Sequence, residues 1–354
     1  MVAVRRRVVA AILILLVIGA VPALAAVVEL PGEARLKRLV GVEQPENCRI
    51  VNADGSGADW RAEPKTPTLR DGPSAAVLGD RVVLVGGIQA FYADFTKARS
   101  LATVEVFDVG SGRWSRWPDL PEPLNHVGLA TVDGTLYALG GLTNEWRLGT
   151  ASTKAWRFDE RRRRWTALPD MPTARGGAGI AVVGDKIYVA GGISNNVSLD
   201  AMESYDTRTG RWSEHAPMPT RRDHAGMAAS GGMVYAAAGR KEDERSLRVF
   251  ERYDPRGDAW TALPPVPEPK AGFVLAETPA GLVAAGGEDL RSRTLYGGVY
   301  AFDPDGGGWR SIGTMKEPKH GYGAAYVDGR LWVFGGSRCS GFKPTRSSAS
   351  MPVG

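Results

Sequence analysis

The sequence predicts an all-β protein assembled from repeats of about fifty residues, and three recurring marks predict it. Double glycines end apolar hairpins at Gly86-Gly87, Gly140-Gly141, Gly191-Gly192, Gly286-Gly287 and Gly335-Gly336, with Ala238-Gly239 in the same role between the third and fourth. Tryptophans keep step with them: Trp60, Trp114, Trp165, Trp212, Trp260 and Trp309 follow one another at 54, 51, 47, 48 and 49 residues, the same steps that separate the glycine pairs. An aspartate stands six residues before each tryptophan, at Asp54, Asp108, Asp159, Asp206, Asp254 and Asp303.

Each mark has a physical reason. The stretch Gly176–Gly192 reads as one hairpin, an apolar run over Ala178–Val183, a turn at Gly184-Asp185 and a second run over Ile187–Ala190. Glycines at its end have no Cβ and let the strand approach a large neighbour. The aspartate accepts backbone N–H bonds at a second hairpin turn, and the aromatic residue before it (Phe107, Phe158, Tyr205, Tyr253, Phe302) and the tryptophan supply apolar area. Two hairpins give four strands, a to d, per unit. Six such units predict a six-bladed β-propeller rather than a helical solenoid.

This pattern resembles the kelch repeat over roughly Cys48–Arg338. Ala238 in place of a glycine, and Val283 where four of the other five units carry Tyr or Trp, depart from it. The chain begins on a tryptophan hairpin, Arg49–Ala62, and ends on a glycine hairpin, Gly321–Gly336. The expected closure therefore pairs N-terminal strands c and d with C-terminal strands a and b, leaving no open sheet edge. Cys48 and Cys339 then lie at neighbouring points of that blade, and a Cys48–Cys339 disulfide is expected.

The rest of the chain is read from composition. Of 354 residues 43% are hydrophobic and 23% charged, which suits a folded domain, and 45 glycines with 23 prolines supply turns. Three of the five net positive charges belong to Arg5, Arg6 and Arg7, and the remainder is too scattered to argue for nucleic acid. Residues 1–25 carry those arginines, an apolar run from Val8 and the small residues Ala23-Leu24-Ala25. They read as a signal peptide or, because Val8–Val28 is 21 uncharged residues, as an N-terminal membrane anchor. Both readings place the rest outside the cytoplasm, secreted, periplasmic or on the outer membrane face. Residues 26–47 read as a linker, 48–339 as the propeller, and 340–354, rich in Ser and Pro, as a disordered tail.

The resemblance implies ligand contacts just before strand a and just after the double glycines, at the mouth of a central channel. The first set contains Arg70, Asn125, His126, Arg175, Arg222, His224, Lys319 and His320; the second contains Asn195, Arg240 and Glu288. With Lys270, five of six positions before strand a are basic, so the mouth is expected either to hold an anionic glycan or peptide or to use its arginines to cap strand ends and pair with Asp71 or Asp223, stitching neighbouring blades. His126, His224 and His320 fall in alternate units, but His320 is one position out of register, and neither a metal nor a cofactor is expected. Arg161–Arg164 lies at a hairpin tip on the opposite face and reads as a solvated turn.

No Gly-x-Ser-x-Gly, His-Glu-x-x-His or phosphate-binding glycine loop is present. The expected function is binding of a protein, peptide or glycan at a basic mouth. The alternatives are a carbohydrate mutarotase or epimerase, as in the N-acetylneuraminate epimerases that share this architecture, and a structural envelope component. An enzyme would need an acid–base pair such as Glu288 or Asp223 with His224 or Arg222.

Overall fold

The computed structural model describes residues 48–52, 59–91, 94–143, 150–339 and 343–354. The expected leader and linker lie outside them. Among the described residues no helix is long and apolar enough to cross a membrane.

Six antiparallel four-stranded sheets form the blades of a β-propeller. The first runs through Ser74–Leu78, Arg81–Val85, Val104–Asp108 and Arg113–Trp117. The second to fifth repeat this order, their a strands being Gly128–Val132, Gly179–Val183, Gly226–Ser230 and Val274–Thr278. The sixth has Gly323–Val327 as strand a and Arg330–Phe334 as strand b.

The marks read from the sequence hold the blades together. The aspartates cap the c–d turns: Asp108 accepts the Ser111 N–H at 2.7 Å and Asp206 that of Thr209 at 2.9 Å. Tryptophans reach the preceding blade through the indole N–H, Trp165 to the Pro118 carbonyl at 3.1 Å and Trp212 to that of Pro169 at 2.9 Å. The large neighbour that the glycines admit is the backbone of the next blade. A Cβ on Gly86 would collide with the Leu124 carbonyl oxygen, and Gly86 is left-handed at φ +64. One residue on, Gly87 donates its N–H to that same carbonyl at 3.0 Å.

The expected closure is wrong in its strands. Among the described residues no sheet closes on itself into a ring; the blades are separate four-stranded sheets. Among the described residues one N-terminal strand, Arg61–Glu63, enters the sixth blade, as strand d. Strand c is Ser348–Pro352, from the tail expected to be disordered. Its small side chains suit the tight slot: Ser350 is fully buried, with its hydroxyl bonded to Glu63 and to the Arg330 guanidinium, while Met351 and Val353 enter the apolar core. Arg49–Val51, expected as strand c, instead adds parallel to Thr294–Tyr296 in a small sheet on the fifth blade. The disulfide Cys48–Cys339 is formed, with Cα atoms 5.5 Å apart. It ties that added strand, rather than a strand of the sixth blade, to the end of Arg330–Phe334.

Candidate functional site

The basic residues before strand a do not line a mouth. Arg70, Arg175, Arg222, Lys270 and Lys319 are all at most 1% exposed. Arg70, Arg175 and Arg222 reach across their own blades to glutamates on strand c: Arg70 to Glu105, Arg175 to Glu203 at 2.9 Å and Arg222 to Glu251 at 2.7 Å. They also cap carbonyls, as Arg175 does at Gly191 (2.9 Å) and Ala201 (2.7 Å). Burial pushes the three guanidinium groups below the usual arginine range, against the pull of their glutamates. Lys270 pairs with Glu268 at 2.9 Å, and Lys319 donates to the Ser347 carbonyl and hydroxyl. These are internal braces. In the second blade the equivalent positions are apolar, Leu124 and Trp156, and both pack in the core.

Two residues further on, the chain reaches the axis. Gly72, His126, Gly177, His224, Gly272 and Gly321 occupy equivalent positions, all left-handed, with φ between +51 and +61. Each donates its N–H to the carbonyl of its counterpart in the preceding blade, from Gly72 to Gly321 at 2.7 Å round to Gly321 to Gly272 at 2.9 Å. The result is a circuit of six backbone hydrogen bonds about the axis. A left-handed residue with a Cβ costs about 1–2 kcal/mol, and only His126 and His224 carry that cost here. Their rings meet edge to face with centroids 4.6 Å apart. An axial cavity of about 140 Å³ is lined by all six positions and by the residues that follow them into strand a, Pro73, Val127, Ala178, Ala225, Phe273 and Tyr322.

Beside the histidines a polar cluster gathers residues from neighbouring blades. Arg240 is its centre: its Nε lies 3.1 Å from Asp223, one terminal nitrogen 3.2 Å from His224 Nε2, and the other 3.5 Å from Glu288. Asp223 accepts from His224 Nδ1 at 2.5 Å and from the Ser198 hydroxyl at 2.6 Å. His320 places Nδ1 3.2 Å from Glu288 and Nε2 2.8 Å from the Cys339 carbonyl. Asp71 accepts from Ser337 at 3.0 Å and from the Gly72 N–H at 2.8 Å. Asn125 holds His126 Nδ1 at 2.6 Å and donates to Ser100 at 2.8 Å.

Burial and charge set the protonation states. Burial raises the Asp71 carboxyl to about 6. For Asp223 burial acts upward too, but the His224 hydrogen bond and the Arg240 charge hold it below the usual carboxylate range. Burial lowers His126 well below the ordinary imidazole value, helped by His224 and Arg240. His224 is lowered by burial and Arg240. For Arg240 burial acts downward, and Asp223 and Glu288 outweigh it.

The candidates thus separate. Asn125, His126, His224, Arg240, Glu288 and His320 converge, whereas Arg70, Arg175, Arg222 and Lys319 point into their blades. Asn195 is exposed in a two-residue turn with Asn196, both left-handed at φ +48 and +61, which is what that turn requires. Arg161–Arg164 is exposed at its hairpin tip, Arg162 pairing with Asp159 at 2.8 Å. The sequence reading missed the serines that orient the cluster. Ser100, Ser198 and Ser246 stand at one register of the b–c loops, each immediately before the residue whose N–H returns to the carbonyl of the second glycine, and that recurrence was a usable signal. Among the described residues no group of three or more His, Cys, Asp or Glu is placed to hold a metal ion.

Comparison with known proteins agrees with this architecture. The chain is 31% identical over 201 residues to Kelch-like protein terF of Aspergillus terreus, covering 56% of this chain and 34% of that one. It is 32% identical over 145 residues to Kelch domain-containing protein 8B of Homo sapiens, covering 39% and 40%. The matched stretches span about a third to two fifths of these relatives. Among solved structures, that of YjhT superposes with a TM-score of 0.69 at 17% identity, over 82% of this chain and 97% of its own; the likeness is one of fold. The Kelch motif model matches residues 69–121, 123–172, 174–219 and 221–267, more than half of the sequence and the same units that the structure folds into its first four blades, so the chain belongs to the kelch-repeat family.

Proposed function

We propose that the protein catalyses anomer or epimer interconversion of a carbohydrate at the axial mouth, outside the cytoplasm. The observation that carries this reading is Arg240 set between two carboxylate–imidazole pairs, Asp223–His224 and Glu288–His320. Opening a sugar hemiacetal needs two proton transfers: one from the anomeric hydroxyl to a base, one from an acid to the ring oxygen. A neutral imidazole serves the first. The second suits Glu288–His320: His320 must donate Nε2–H to the Cys339 carbonyl, so its contact with Glu288 holds one proton between Nδ1 and the carboxyl. Arg240, one-fifth exposed, is the group available to an anionic substituent.

N-acetylneuraminate is the first substrate to test, on the resemblance noted from the sequence. The experiment dissolves a single anomer and follows the other by proton NMR. Catalysis well above the spontaneous rate, reduced at least tenfold by Arg240→Ala, is expected; a rate equal to that of buffer overturns the reading.

A second reading, binding of a protein, peptide or larger glycan on the mouth, is favoured by the cavity of about 140 Å³. This is smaller than the roughly 300–1,000 Å³ that encloses a small-molecule ligand. Calorimetric titration with an acidic peptide and with a sialylated oligosaccharide tests it. Absence of heat with either ligand, together with inert sugar kinetics, leaves a structural role in the envelope, with or without attachment through the N-terminal segment.

A further inference from the structure

His126 and His224 hold equivalent positions, yet the outward nitrogens of their rings differ in what they meet. In each ring Nδ1 faces an acceptor from the preceding residue, Asn125 Oδ1 at 2.6 Å and Asp223 Oδ1 at 2.5 Å. The Asn125 amide orientation is fixed independently, because its nitrogen donates to the Ser100 hydroxyl and the Leu142 carbonyl. Both imidazoles therefore carry their proton on Nδ1 and a lone pair on Nε2. On His224 that lone pair is occupied by Arg240 at 3.2 Å. On His126 Nε2 has no hydrogen-bond partner among the described residues, and the ring lines the axial cavity.

The backbone gives a second, independent pointer. Four of the six axial positions are glycine, as a left-handed conformation favours, and a histidine there is strained for no packing reason that its neighbours share. Strain of this kind persists where a side chain is needed for more than the fold. The surroundings also suit a base that must be aimed in advance. The ring meets His224 and is hemmed by Gly72, where even a Cβ would come within 3.0 Å of it, so its orientation is fixed before any ligand arrives.

We propose that His126 is a catalytic residue of the axial site, the base that accepts the anomeric hydroxyl proton on Nε2. The inference rests on the carbohydrate reading above. In the step, the O–H bond of the anomeric hydroxyl breaks and its proton passes to Nε2. The oxygen electron pair forms the carbonyl, and the bond from the anomeric carbon to the ring oxygen breaks. The ring oxygen takes the proton held between Glu288 and His320. Rotation about the bond beside the new carbonyl, followed by the reverse transfers, returns the other anomer and regenerates both groups.

The test is His126→Gly, which installs the residue that four other blades already use. The variant is expected to melt at or above the wild-type temperature while its turnover of N-acetylneuraminate anomers falls about 100-fold or more. Added imidazole is expected to recover at least tenfold of that loss by entering the vacated space, a response that a purely structural role would not give. Wild-type rates in His126→Gly, or a loss that imidazole does not relieve, overturn the assignment while leaving the function in place. An inert wild-type protein overturns the function and this assignment with it. Should His126→Gly fail to fold, nitrogen-15 NMR of histidine-labelled wild type decides: the Nδ1–H tautomer at His126 is expected, and an Nε2–H tautomer refutes the base.

Discussion

Replacing Arg222 with alanine tests whether the conspicuous cations are braces or ligand contacts. The Arg222 side chain is fully buried, 2.7 Å from Glu251 and bonded to the Thr220 and Ala236 carbonyls at 2.7 and 3.1 Å. Its removal leaves the buried Glu251 carboxylate without its countercharge, a change that costs about 3–5 kcal/mol. That is a large part of the roughly 5–15 kcal/mol by which domains are stable. With a urea m-value of about 3 kcal/mol/M, the unfolding midpoint falls by about 1–1.7 M. The second blade indicates the repair: its equivalent residues, Leu124 and Trp156, are apolar core members. Arg222→Leu combined with Glu251→Leu is therefore expected to recover most of the loss, because no buried charge remains unpaired. Equilibrium urea unfolding of the three proteins, followed by tryptophan fluorescence, measures both effects. An unchanged midpoint in Arg222→Ala, accompanied by lost ligand binding, would refute the internal pairing and return the arginine to the mouth.

Three further outcomes are expected. Gly191→Ala places a methyl 2.5 Å from the Arg222 carbonyl at φ +64 and should destabilise by several kcal/mol, whereas Ala238→Gly, at the same register with φ +50, should stay within about 1 kcal/mol; thermal melts compare them. Loss of the disulfide by Cys48→Ser with Cys339→Ser should cost at most about 4–5 kcal/mol and leave the far-ultraviolet circular dichroism intact, since Arg61–Glu63 still pairs with Ser348–Pro352; truncation after Arg346 removes that strand and should be the more damaging change in the same assay. The raised Asp71 carboxyl, about 6 against the ordinary 3.8, means that the folded protein binds a proton more tightly than the unfolded chain between those values. Its contribution to stability therefore falls as pH rises from about 4 to 6, by an amount on the order of 3 kcal/mol, and Asp71→Asn should flatten that part of a pH–stability profile.

What could be read from the sequence follows from how local each rule is. The aspartates, tryptophans and double glycines were legible because each answers a requirement within its own hairpin or at the next blade's edge, at a fixed step. Ser348–Pro352 was not, because it becomes a strand only in a slot made by Arg330–Phe334 and Arg61–Glu63, and small polar residues carry no signal of a distant slot. The basic positions were legible as a repeat but not in direction. Their direction lay in a second column of the same repeat: glutamate at 105, 203 and 251 accompanies arginine at 70, 175 and 222, and tryptophan at 156 accompanies leucine at 124. Residues that change together within one chain face each other in the blade. The axial column behaves in the opposite way. There the repeat fixes glycine at 72, 177, 272 and 321, and histidine at 126 and 224 breaks it without a compensating change elsewhere in the column. A residue that keeps the repeat is explained by the fold. A departure that costs conformational energy and fills no core needs another cause, and in this propeller the two costly departures meet each other beside Arg240, Asp223 and Glu288.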